Sequence, residues 1–84
     1  MNSARVGIFL RDQRQRNNLT IQQVAAETDL VTPEELKAIE AGDVTAPMDV
    51  ILALINIIGI DANEVLELFY DVMLSTTTRK ESTN

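Results

Sequence analysis

Cysteine, histidine and tryptophan are all missing from these 84 residues, and the aromatics amount to two phenylalanines and one tyrosine. Without cysteine there is no disulfide and no thiolate metal site; without histidine there is no imidazole base or ligand. No glycine-rich phosphate loop and no metal-ligand spacing stand in for them. Glu34 and Glu35 are adjacent, so on a helix they project about 100° apart and make no acid–base pair. No enzymatic activity, metal or cofactor is therefore expected. Long apolar runs are missing too: the stretch 50–60 is broken by Asn56 and Gly59 and falls far short of the ~20 residues of a membrane span. The opening residues Met1 to Arg5 lack the apolar centre of a secretory signal. The expected location is the cytoplasm, with no membrane contact.

What is present is hydrophobic and acidic. Apolar residues make up 45% of the chain, too many for a disordered segment, and one small core is all this length can hold. The net charge is −6, the wrong sign for a surface that clings everywhere to nucleic acid. The charge is unevenly spread. Residues 2–18 carry Arg5, Arg11, Arg14 and Arg16 against Asp12, a local +3, and the remainder is −9.

Three glycines and two prolines leave each one free to punctuate. Thr20 and Gln23, Thr32 and Glu35, and Asp61 and Glu64 each have the spacing of a capping box, in which two side chains reciprocally satisfy helix-start N–H groups. Leu19 and Val24 sit as a hydrophobic staple. Pro33 suits the first position of a helix. Gly42 and Gly59 fall where left-handed caps end helices, and Pro47 suits the opening turn of the next. Five helices are predicted, roughly over 4–17, 21–28, 33–41, 47–58 and 62–74, with no strand pattern between them. The tail 75–84, with three consecutive threonines, is expected to be disordered.

Helical spacing assigns Val6, Leu10 and Gln13 to one face of the first helix. Val24, Ala25, Leu30, Leu36 and Ile39 supply the middle of the core. Ile51, Leu54, Ile55 and Ile58, then Val65, Leu68, Phe69 and Val72, form stripes on the last two helices. Apolar residues remain after this assignment. Ile8 and Phe9 are surplus on the first helix, Val50, Leu52 and Ile57 on the fourth, and Leu66, Tyr70, Met73 and Leu74 on the fifth. A contiguous apolar surface marks an interaction site. An isologous homodimer through residues 47–74 is the expectation, the domain itself running over 1–74.

The order Val6-Gly7, Leu10 to Arg14, Leu19-Thr20, Val24-Ala25, Leu36, Ile39 to Gly42 and Ile58 to Ile60 resembles the phage-repressor/Cro-type (XRE-like) helix-turn-helix domains over about residues 5–68. The resemblance implies a compact, all-α, five-helix, lambda-repressor-like fold. Its helix-turn-helix unit would lie at about 21–41, with the helix at 33–41 entering the major groove of double-stranded DNA. It implies that Arg14 pairs with Glu40. It also carries a DNA-facing set onto Arg11, Arg14, Gln22, Gln23, Thr32, Glu34, Glu35, Lys37 and Ala38.

The sequence departs from the family pattern in places. Ile21 stands where a glutamine commonly opens the second helix. Asp29 stands where the turn has a glycine, a place in which aspartate can adopt left-handed geometry. Val31 is the candidate for one extra turn residue. Two carboxylates begin the third helix; glutamate can accept from cytosine N4, and it also favours a helix N-terminus. Two functions follow. One is a dimeric DNA-binding transcriptional regulator acting on a short inverted repeat. The other keeps the fold without DNA, as a protein-interaction adaptor or antirepressor, with Ile8, Phe9, Ile21 and Val31 in its contact surface.

Overall fold

The computed structural model describes residues 3–70, and every regular element among them is helical. The elements are α1 (Ser3–Arg16), α2 (Ile21–Ala26), α3 (Pro33–Ala41), α4 (Met48–Ile58) and α5 over residues 62–70. Val72, Met73, Leu74 and the tail 75–84 lie outside the described residues.

Local chemistry fixes the helix starts. The Thr20 hydroxyl accepts from the Gln23 N–H at 3.0 Å, and Gln23 Oε1 accepts from the Thr20 N–H at 2.7 Å. Thr32 and Glu35 repeat this at 3.1 and 2.8 Å, with Pro33 at the first helical position. Gly42 and Gly59 close α3 and α4 with φ of 83° and 80°, as the left-handed cap requires. Pro47 stands one place outside the expected helix, as the N-cap of α4.

Val6, Leu10, Val24, Leu36, Ile39, Ile51, Leu54 and Ile58 meet in a single core. Its packing is centred on α1 against α3, with α2 and α4 closing the sides. Leu54 is fully buried. Leu54→Ala should therefore lower stability by about 2–5 kcal/mol, lost transfer energy plus a cavity. Urea denaturation measures it, and a loss below about 1 kcal/mol would mean that the core collapses around the gap.

The turn after α2 reverses two expectations. Helix α2 stops at Ala26, not at 28, because Glu27 caps it in a right-handed conformation. The Thr28 hydroxyl then accepts from the Leu30 N–H at 3.1 Å. That reversal turns Leu30 outward, 47% exposed, and Val31 inward at 8%. Leu30 is thus not core, and Val31 is not surface. Asp29 does not take the left-handed conformation; among the described non-glycine residues that role falls to Asn18, with φ of 59°, after α1.

The apolar surplus also shrinks. Val50 is 5% exposed and belongs to the core, since it shares the buried face of α4 with Ile51 and Leu54. Ile57, Phe9 and Ile21 are half-buried against the same core. Ile8, Leu52, Leu66 and Tyr70 remain exposed. The third predicted capping box does not form as drawn. Asp61 accepts from the Asn63 N–H at 3.0 Å, but Glu64 reaches across to α1. Gln13 Nε2 donates to Glu64 Oε2 at 2.7 Å, and Arg16 Nη1 lies 3.6 Å from Oε1.

Candidate nucleic-acid interface

The α2–turn–α3 unit is anchored to α1 by one buried ion pair. Arg14 Nε donates to Glu40 Oε2 at 2.7 Å and Nη2 donates to Oε1 at 2.9 Å, a bidentate fork. The remaining Nη1 donates to the Leu19 carbonyl at 2.8 Å, so Arg14 also pins the chain just before α2. The two side chains are 9% and 4% exposed. The hydrogen bond to Glu40 raises the Arg14 guanidinium above its ordinary range, against the opposing pull of burial. A raised folded-state value means that the stabilisation is complete below the ordinary guanidinium range. It is lost only as pH climbs through the raised one.

This geometry sorts the sequence-predicted residues. Arg14 spends the three donors described above inside the fold, and it also lines the depression between α2 and α3. Gln23, Thr32 and Glu35 are exposed, and Gln23 Oε1, Thr32 Oγ1 and Glu35 Oε1 are engaged in the two capping boxes. Gln22, Glu34 and Lys37 are exposed on one depression of about 450 Å³ between α2 and α3, which Thr20 and Ile21 also line. Thr20 is the residue that sequence reasoning omitted from this set. Ala38 is half-buried on the next depression along α3. Arg11 is exposed one turn before Arg14 on α1. Arg16 is held by Asp12 at 3.1 Å and by Glu64. These are exposed ion pairs of the kind worth little.

Two short helices locked at a fixed angle, with the second presenting exposed polar side chains at its start, is the arrangement that reads base edges in the major groove. The family profile described as "Helix-turn-helix domain" matches residues 5–68. The chain belongs to the helix-turn-helix domain family. No curated protein and no solved structure gives a significant match. Helix-turn-helix domains as a class are DNA-binding units of regulators, and here the unit comprises α2, the turn and α3. Among the described residues no helix is long and apolar enough to cross a membrane.

Proposed function

We propose that this helix-turn-helix domain is a sequence-specific DNA-binding transcriptional regulator that acts as a homodimer on a short inverted repeat. The observation that carries the reading is the α3 surface. With Arg14, Gln23 and Glu35 committed to the fold, Gln22, Glu34 and Lys37 are left together on one exposed depression. Lys37 can donate to guanine O6 and N7, and Glu34 can accept from cytosine N4. Arg11, exposed on α1 one turn before Arg14, would add a phosphate contact, which positions without specifying.

The acidic balance argues for the dimer. A single protomer brings two cations, Arg11 and Lys37, toward the polyanion, with Glu34 opposing them. Two protomers joined rigidly double the phosphate contacts and gain effective concentration for the second half-site. Met48, Leu52, Leu66 and Tyr70 are exposed apolar side chains on α4 and α5 among the described residues, and they support such a contact. Met73 and Leu74 lie beyond the described residues. Half-sites would then stand about 34 Å apart, one turn of DNA.

The test is selection from a random duplex pool at about 50 mM salt, where phosphate contacts are strongest. An inverted repeat is expected among retained sequences. With about four phosphates neutralised per dimer, affinity should fall about a hundredfold between 50 and 200 mM salt. Arg11→Ala should flatten that slope without changing the preferred sequence, whereas Lys37→Ala should change it. No retention at low salt would overturn the reading in favour of a protein-binding adaptor.

A further inference from the structure

The side of α3 away from α2 carries a second depression, of about 450 Å³, which differs in character from the first. Its lining is mainly apolar, with Leu30, Val31, Ala38, Val44, Pro47 and Val50 contributing. Val31 and Val50 form its buried floor, whereas Leu30 and Val44 stand 47% and 49% exposed at its edges. The reversal at Thr28 that turned Leu30 out of the core placed it there. Two half-exposed aliphatic side chains beside an apolar floor offer a seat for a third.

The two charged side chains that line the groove are both acidic. Glu34 and Glu35 line the groove directly. Asp29, Asp43 and Asp49 are the chain neighbours of Leu30, Val44 and Val50, and all three are exposed. Glu35 and Asp49 each accept a backbone N–H and otherwise face solvent. An apolar floor bordered by acidic side chains disfavours anionic surfaces and attracts cations.

We propose that this groove docks a basic peptide segment of a partner protein, seating one aliphatic side chain between Leu30 and Val44 with flanking lysines or arginines against the rim. Burial of the aliphatic group supplies affinity, and the carboxylates supply approach and orientation. The site needs no DNA, and apart from Glu34, which lines both depressions, its lining is separate from the surface proposed to read bases.

The test uses the full chain, isotopically labelled, and a short probe peptide with one leucine between pairs of lysines. Saturable shifts centred on Leu30, Val44 and Ala38 are expected. Replacing the probe leucine by serine should weaken binding about tenfold or more. So should Val44→Ser in the protein, a half-exposed position whose change leaves the fold intact. Replacing the lysines by glutamates should abolish binding, and raising salt to about 0.5 M should weaken it. Shifts indifferent to the leucine would overturn the proposal, leaving only non-specific attraction. Shifts elsewhere, or none, would overturn it as well. Two further results would assign the groove differently. Movement of its resonances with protein concentration alone would give it to a second copy. Their movement in an Arg79→Glu, Lys80→Glu variant without peptide would give it to the chain's own C-terminal segment.

Discussion

Arg14→Ala should destabilise this domain by about 3–5 kcal/mol, because it leaves the Glu40 carboxylate buried with no cation beside it. The per-residue range for natural domains gives a chain of this length a total of about 4–13 kcal/mol. A single substitution therefore removes a large share of the stability. The melting temperature should fall by on the order of 20 °C, which calorimetry or loss of helical circular dichroism measures. Glu40→Ala should do the same from the other side, stranding the guanidinium beside the Leu19 carbonyl.

The double replacement separates pairing from packing. Arg14→Leu with Glu40→Leu removes both charges and should be less destabilising than either single alanine change, since apolar pairs often replace buried ion pairs at little loss. Recovery stays incomplete by about 1 kcal/mol, because the Leu19 carbonyl loses the donor that held it at 2.8 Å. With the single Arg14→Leu and Glu40→Leu variants completing the cycle, the non-additivity measures the pair itself. Additive effects would mean that Arg14 and Glu40 act independently and that the fork contributes nothing. DNA affinity of any folded single variant should also drop, since Arg14 fixes both the entry to α2 and the end of α3.

What the sequence made legible was local or depended on order. The Thr20–Gln23 and Thr32–Glu35 boxes need only residues three apart, so spacing alone revealed them. The glycine caps at 42 and 59 follow from the same short-range logic. The Asp61–Glu64 box has equal spacing, yet Glu64 is captured by Gln13 across 51 positions of chain. Nothing near Asp61 announces that competition. Leu30 and Val31 were exchanged between core and surface because turns carry no periodicity, and a single hydroxyl contact at Thr28 decides which one faces inward. On α4 the reading from Ile51 forward left Val50 outside its stripe, although Val50 and Leu54 are four residues apart on one buried face. Of the residues carried over by the resemblance, Gln22, Glu34 and Lys37 line one exposed depression. The commitment of Gln23 and Glu35 to their caps could have been drawn from the same boxes that named them. The groove beside α3 could not, because its walls come from two turns and a helix start.

Gly7 lies in the middle of α1, where an alanine ordinarily strengthens a helix by about 0.5–1 kcal/mol. Here the expected sign is the opposite. A Cβ at this position would fall against the Ile39 carbonyl oxygen and within 2.6 Å of the Glu40 carbonyl oxygen, both of them backbone atoms of α3. Backbone held in a hydrogen-bonded helix does not move aside as a flexible side-chain end would, so α1 and α3 must separate. Overpacking of this kind costs about 1–3 kcal/mol, which exceeds the gain in propensity. The same separation pulls Arg14 away from Glu40, seven residues further along α1, so the loss should be coupled to that pair. Gly7→Ala should therefore lower the melting temperature, and its effect should shrink in the Arg14→Leu, Glu40→Leu background. Gly59→Ala is the matched comparison. Its φ of 80° imposes conformational strain while nothing lies within 4 Å of the added Cβ, so its effect should be independent of the Arg14–Glu40 pair. A Gly7→Ala variant as stable as the natural chain would show that α1 and α3 do not approach this closely, and that the anchoring of the α2–α3 unit rests on the ion pair alone.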